Sequence, residues 1–244
     1  MTVLLLLCLF IPLKAIPLEA ALDTNEYLQS GMEHMKDGDY EKASYAFEKA
    51  LELQPGVAEI HNALGVAYLN SPDGVDKAQA EFEKAIALKP EYGEAYFNLG
   101  LSYSQHRQDL LSAKEYFEKT IQFQPGFAPA YHALGLVRLM GENKPEEAIE
   151  LFKKAIAINP DMAEAQFALG LAYAMEGKAQ EVLAPITALR ALRNEPLAAS
   201  LESIIRGDGM FLGRTGQQGE QPPPAEDAPP PDNGRPDDFK KKLI

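Results

Sequence analysis

Between residues 58 and 70 the apolar positions are Ile60, Ala63, Leu64, Ala67 and Tyr68. That spacing, i, i+3, i+4, i+7 and i+8, places them on one face of an α-helix. Ser71-Pro72-Asp73-Gly74 breaks the pattern. Ala78, Phe82, Ala85 and Ile86 then mark a second helix, with Glu81, Glu83 and Lys84 on its polar side. Pro90 ends it, because proline donates no backbone N–H and its ring clashes with the preceding turn. The pair recurs along the chain. Pro55, Pro90, Pro125 and Pro160 stand 35 residues apart. Leu64-Gly65, Leu99-Gly100, Leu134-Gly135 and Leu169-Gly170 keep the same period. So do Ala78 with Phe82, Ala113 with Phe117, and Ala148 with Phe152, while an earlier copy holds Ser30-Gly31, Ala43 and Phe47. A period of this length marks units that bury their apolar faces by stacking on one another.

The small residues carry a packing message. A glycine inside a helix costs about 1 kcal/mol relative to alanine. Its return at Gly65, Gly100, Gly135 and Gly170 implies a close helix–helix approach that a side chain would block. Ala78, Ala113 and Ala148 serve the same approach from the second helix. Phe47, Phe82, Phe117 and Phe152 are expected to fill the space between repeats.

The run His61-x-x-Leu64-Gly65-x-x-Tyr68, then Ala78-x-x-x-Phe82, then Pro90, resembles the tetratricopeptide repeat. The next copy is closer still: Tyr96-x-x-Leu99-Gly100-x-x-Tyr103, Ala113-x-x-x-Phe117, Pro125. The family's usual repeat is one residue shorter, and the extra residue is expected in the turns at 72–76, 107–111 and 142–146. The resemblance covers residues 24–193 as five units, 24–57, 58–92, 93–127, 128–162 and 163–193. It implies an all-α fold, a right-handed superhelical solenoid of helix-turn-helix pairs. The fifth unit departs from the pattern. Phe167, Leu169, Gly170, Leu171 and Tyr173 form a good first helix, but Val182 and Ile186 replace Ala and Phe in the second. Pro185 there predicts a kink or a delayed start. Residues 194–206, with Leu197, Leu201, Ile204 and Ile205 on one face, read as a C-terminal capping helix with Pro196 in its first turn.

In this family the first helix of each pair lines a concave face, and recognition along that face is the usual function. The resemblance therefore implies a partner-binding set of Leu28, Met32, Asn62, Val66, Phe97, Leu101, His132, Leu136, Met140, Phe167 and Leu171. Met35, Glu59, Leu69, Glu94, Ser104, Leu139, Glu164 and Met175 share the same helix faces. Val66, Leu101, Leu136 and Leu171 recur at one repeat position. An apolar face with methionines suits an amphipathic helix or an extended apolar segment. Each of these side chains is equally a candidate for intramolecular packing. Cytosolic chaperone adaptors of the family hold a carboxylate with Lys, Arg and Asn on this face. Here those places hold Leu28, Met32, Val66, Phe97 and Leu101, and Asn62 and Asn98 lack basic partners. A co-chaperone role is not expected.

Composition narrows the chemistry. The 244 residues carry a net charge of −13, which argues against nucleic acid, since phosphate contacts need clustered Lys and Arg. The single cysteine, Cys8, excludes an intrachain disulfide and a thiolate zinc site. His34, His61, His106 and His132 include no i, i+4 pair. His34 and His61 fall in aromatic slots of the repeat, so satisfied core histidines are expected there, with His132 toward the concave face. Gly207-x-Gly209 follows no strand, so it is no phosphate loop. No catalytic, cofactor-binding or metal-binding residue is assigned, and no enzyme activity is expected.

The two ends differ from the middle. Residues 3–13 are apolar, too short to span a bilayer but suited to the core of a secretory signal. Ala20 and Ala21 are the expected cleavage positions, making 1–21 a signal and the protein periplasmic or secreted. The alternative is an uncleaved apolar segment giving peripheral membrane association. Residues 207–244, with proline triplets at 222–224 and 229–231, are expected to be disordered. They end in Phe239, Lys240, Lys241, Lys242, Leu243 and Ile244, an apolar and basic tip. The sequence reads as an exported adaptor that holds a protein or peptide partner during assembly of an envelope complex. The alternative is a self-associating scaffold, a homo-oligomer.

Overall fold

The computed structural model describes residues 18–106 and 109–206. The expected signal at 1–21 lies mostly, and the expected disordered tail at 207–244 entirely, outside the described residues. The described chain is all-α, without strands. Its helices are α1 (Leu18–Asp37), α2 (Tyr40–Leu53), α3 (Ala58–Leu69), α4 (Val75–Leu88), α5 (Gly93–His106), α6 (Leu110–Phe123), α7 (Ala128–Leu136), α8 (Pro145–Ile158), α9 (Ala163–Met175), α10 (Leu183–Ala191) and α11 (Glu195–Arg206). A π-turn, Val137–Gly141, extends α7. The chain divides between Asn98 and Leu99 into two compact units, and α5 contributes residues to each.

In the first unit α1 packs on α2, α2 on α3, and α3 on α4. The glycine inside each first helix meets the phenylalanine of its own second helix. A Cβ built on Gly31 or Gly65 would stand 2.5 Å from the ring of Phe47 or Phe82. Phe47 also shares its core with Ile60 and Leu64 of the next pair. The ring therefore fills space both within a repeat and between repeats, where the sequence suggested only the latter.

The second unit repeats this packing. Phe117 lies against Gly100 and Phe152 against Gly135. Helices α6 to α10 then pack in succession, and α11 packs on both α9 and α10. The fifth pair lacks the phenylalanine. Leu201 of α11 and Pro185 of α10 occupy the place facing Gly170 instead. Residues 179–182 form turns, and α10 begins only at Leu183 with buried Pro185 in its first turn. Proline is tolerated there because the N–H groups of a first turn have no helical partner. Asn194 starts α11, its side chain accepting from the N–H of Leu197 at 3.3 Å.

The turns inside the pairs are of two kinds. In the first and fifth pairs, Gly38 and Gly177 take φ of +76° and +70°. The N–H of Asp39 bonds back to His34 O, and that of Lys178 to Tyr173 O, closing Schellman-type ends. The longer second and fourth pairs place Asp73 and Asn143 at φ 53° instead. In the fourth pair the extra residue is taken up partly before the expected turn at 142–146. The N–H of Glu142 bonds to Val137 O, a five-residue step that widens the end of the helix into the π-turn. Residues 107 and 108 of the third turn lie outside the described residues. No described helix is long and apolar enough to cross a membrane.

Candidate partner-binding face

The face is built from the first helix of each pair. Helical spacing puts Leu28, Met32 and Met35 together on α1, and Glu59, Asn62, Val66 and Leu69 together on α3. In the first unit Met32 is 67% exposed, and Leu28, Val66, Leu69 and Phe97 are half-buried. In the second unit Leu101, His132, Leu136 and Met140 are half-buried. Leu28 and Met35 also lean on the core around Ile60 and Leu64, and Leu136 and Met140 on the core of α8 and α9. Glu59, Glu94 and Glu164 are exposed.

Four side chains are core rather than surface. Phe167 and Leu171, at 6% and 3% exposure, share one cluster with Ala198, Leu201 and Ile204 of α11. The capping helix was expected, but not that its packing would bury this end of the face. Leu139, at the π-turn, is buried in the same cluster. Asn62 is buried too, and its amide is already engaged. Its Oδ1 accepts from Asn98 Nδ2 at 2.9 Å, and its Nδ2 donates to Tyr92 Oη at 3.4 Å. Asn62 and Asn98 thus hold each other in place of the basic partners they lack. Nothing in the repeat pattern pointed to this pair, since the two occupy adjacent repeat positions, not equivalent ones. The 36-residue separation, one more than the period, was the available signal.

Charge along the first unit's face is partly tied down. Lys89 Nζ lies 2.7 Å from Glu59 Oε1 and 4.6 Å from the centre of the Tyr92 ring. The bridge to Lys89 holds the Glu59 carboxyl below its ordinary range. Burial, helped by the charges of Glu94 and Glu59, pushes the Tyr92 phenol up to about 12. That hydroxyl therefore keeps its proton at any physiological pH.

The histidines are mostly structural. His61 is buried, with Nε2 3.0 Å from Pro55 O and Nδ1 2.6 Å from Glu81 Oε2. Glu81 also meets Lys84 Nζ at 2.7 Å. His61 thereby pins the α2–α3 turn and α4 onto α3, as a satisfied core histidine. His34 is half-buried. His132 sits 5.9 Å from the Phe152 ring, and burial holds its imidazole below the ordinary value against the pull of Glu164. Its ring belongs in part to the core. The side chain of His106 is outside the described residues. Among the described residues no group of three or more His, Cys, Asp or Glu could hold a metal ion.

Known proteins agree with this architecture. A TPR repeat model matches residues 31–71 and 138–177, and a tetratricopeptide repeat model matches residues 73–126. A crystal structure of MamA protein is similar at 27% identity, covering 74% of this chain and 96% of that one, with a TM-score of 0.57. The structure of MamA from residue 41 onward, from Desulfovibrio magneticus RS-1, is 22% identical with a TM-score of 0.60. It covers 73% of this chain and 97% of that one, and at that identity speaks for the fold alone. No curated protein sequence matches the chain.

Proposed function

Because the chain belongs to the tetratricopeptide repeat family, we propose that it is an exported protein–protein adaptor. It holds an apolar or amphipathic segment of a protein partner against the first-helix faces of its repeats, and serves assembly of an envelope complex. The observation that carries this reading is one repeat position traced along the chain. Met32 is 67% exposed, Val66, Leu101 and Leu136 are half-buried, and only Leu171, beside α11, is closed off at 3%. Fully burying one such side chain is worth about 1.5–3 kcal/mol. Covering the exposed fractions of several offsets part of the entropy lost on association. The role is recognition rather than catalysis.

The test is the double substitution Leu101→Glu with Leu136→Glu. Helical circular dichroism stays near wild type, while a partner that cross-links to the wild-type protein in extracts of the source cells is no longer captured. Global unfolding of the variant would place both residues in the core and remove the face. Export is tested by N-terminal sequencing after fractionation, with a mature start following Ala20 or Ala21, inside the first turn of α1.

A second reading, a self-associating scaffold, draws on the first pair, where Met32 and Tyr45 are 67% and 60% exposed. Light scattering decides it. A stable oligomer lost on deleting residues 1–23 favours the scaffold, and a monomer favours the adaptor.

A further inference from the structure

We infer that the exposed side of α10 is a docking surface for the chain's own segment Met210-Phe211-Leu212, which folds back over it from the end of α11. The contact lies on a second helix, so it does not depend on the first-helix face binding a partner. The outward side of a second helix is charged elsewhere in the chain. Helix α8 exposes Glu146, Glu147, Glu150, Lys153 and Lys154, and α4 exposes Asp76, Lys77, Glu83 and Lys84. Helix α10 instead exposes Leu183, at 54%, with Ala184, Thr187 and Ala191. Its one charged residue, Arg190, is drawn aside onto α11, 3.3 Å from Glu195 Oε1 and 2.8 Å from Glu202 Oε1. A helix side that faces only water is expected to be polar, and this one has the composition of a covered side.

The segment starts next to that surface. Leu201, near the end of α11, and Pro185, in the first turn of α10, both press on Gly170, so the end of α11 lies beside the start of α10. Leu183 is two turns from Arg190 on the same side of α10, so it borders α11 as well. Arg206 ends α11, and Met210, Phe211 and Leu212 follow almost at once. The intervening chain spans at most about 14–21 Å, and α10 is only about 14 Å long. Gly207 and Gly209 are the residue type that lets a chain reverse just past a helix end. Residues 213–238 hold no Val, Ile, Leu, Met or aromatic residue, so these three are the large apolar side chains tethered close to α10. A tether this short keeps them at roughly millimolar effective concentration, which fills even a weak site. Phe211 then covers Leu183 and Ala184, and the last pair presents no bare apolar patch to other chains.

The chain contains no tryptophan, so Phe211→Trp in the full chain provides a single indole reporter. Its emission is expected to be blue-shifted, and its acrylamide quenching constant about 3-fold lower than in a free peptide of residues 207–216 carrying the same substitution, as for a mostly occupied site. Adding Leu183→Lys, with circular dichroism unchanged, should return quenching to the free-peptide value. If that variant loses helix, Thr187→Lys, at an exposed position on the same side of α10, takes its place. Protection that is the same at nanomolar and micromolar protein supports the chain's own segment as occupant. Quenching equal to the free peptide, protection unmoved by the α10 substitution, or protection that appears only on concentration, which would make a second copy the occupant, overturns the inference.

Discussion

At Gly65 two preferences oppose each other. Alanine would gain about 1 kcal/mol of helix propensity. Its Cβ would stand 2.5 Å from Cε1 and 2.7 Å from Cδ1 of Phe82, a ring with 0% exposure and no room to withdraw. Overpacking a core of this kind costs about 1–3 kcal/mol. Gly65→Ala is therefore expected to lower stability by about 1 kcal/mol net, read as a lower urea midpoint at an unchanged slope. Adding Phe82→Leu should recover part of the loss, giving a non-zero coupling energy in the double-mutant cycle. A stabilised Gly65→Ala protein would show that the ring yields and that the glycine has another cause. This contact was legible in the sequence because the same two residue types return with one period. The Asn62–Asn98–Tyr92 bonds were not, because they join different repeat positions and occur once. The burial of His61 was legible from its aromatic slot, but its pairing with Glu81 was not, since Glu81 reads as one more polar position on α4.

Among elements, the junction of α7, the π-turn and α8 gathers the most charge. Glu142 comes directly after the π-turn and receives Lys114 Nζ from α6 at 3.0 Å, Arg138 Nη1 at 2.7 Å and Lys144 Nζ at 3.1 Å. Arg138 also reaches Glu118 at 3.3 Å and Glu147 at 3.4 Å. Hydrogen bonds from the three cations hold the Glu142 carboxyl down at about 2, from an ordinary 4.5. A depressed carboxylate stabilises the fold above its unfolded pKa, and the contribution fades as pH falls toward the folded value. The wild-type protein should therefore lose stability between about pH 4.5 and 2, and Glu142→Gln should flatten that part of the profile. Thermal melts across this range check it; identical slopes for the two proteins would mean the network is fully screened. The turn itself was legible only to within a few residues. Sequence spacing counts the extra residue but does not say whether a helix end widens or a loop lengthens, and here Val137–Gly141 widens. Pro185 was more informative, because a missing N–H restricts where a helix can begin, and α10 begins just before it.

At the scale of the whole molecule, the repeat sets the fold and the exceptions to it set the surface. Periodicity made the helix pairs legible, since each glycine, alanine and phenylalanine recurs with one partner. It treated Leu171 as equivalent to Leu101 and Leu136, because a period carries no information about the helix packed beyond the last repeat. The difference is α11. Leu201 is fully buried and stands against Gly170, where earlier pairs have a phenylalanine, and Leu171 is closed off in the same cluster. In a stack whose stability is a sum over nearest neighbours, loss of such a cap falls first on the repeat it covers. Truncation after Asn194 removes Leu201 and Ile204 and re-exposes part of Phe167 and Leu171. At about 1.5–3 kcal/mol per large side chain, that is a loss of roughly 5 kcal/mol. For a chain of this size the melting temperature should fall by roughly 10–20 °C. Hydrogen-exchange protection should disappear from α9 and α10 before α2 to α4. Truncation after Arg206 keeps the cap, so that melt should move by only a few degrees. If the two truncations melt alike, α11 is not a cap, and the burial of Phe167 and Leu171 has to come from α8 to α10 alone.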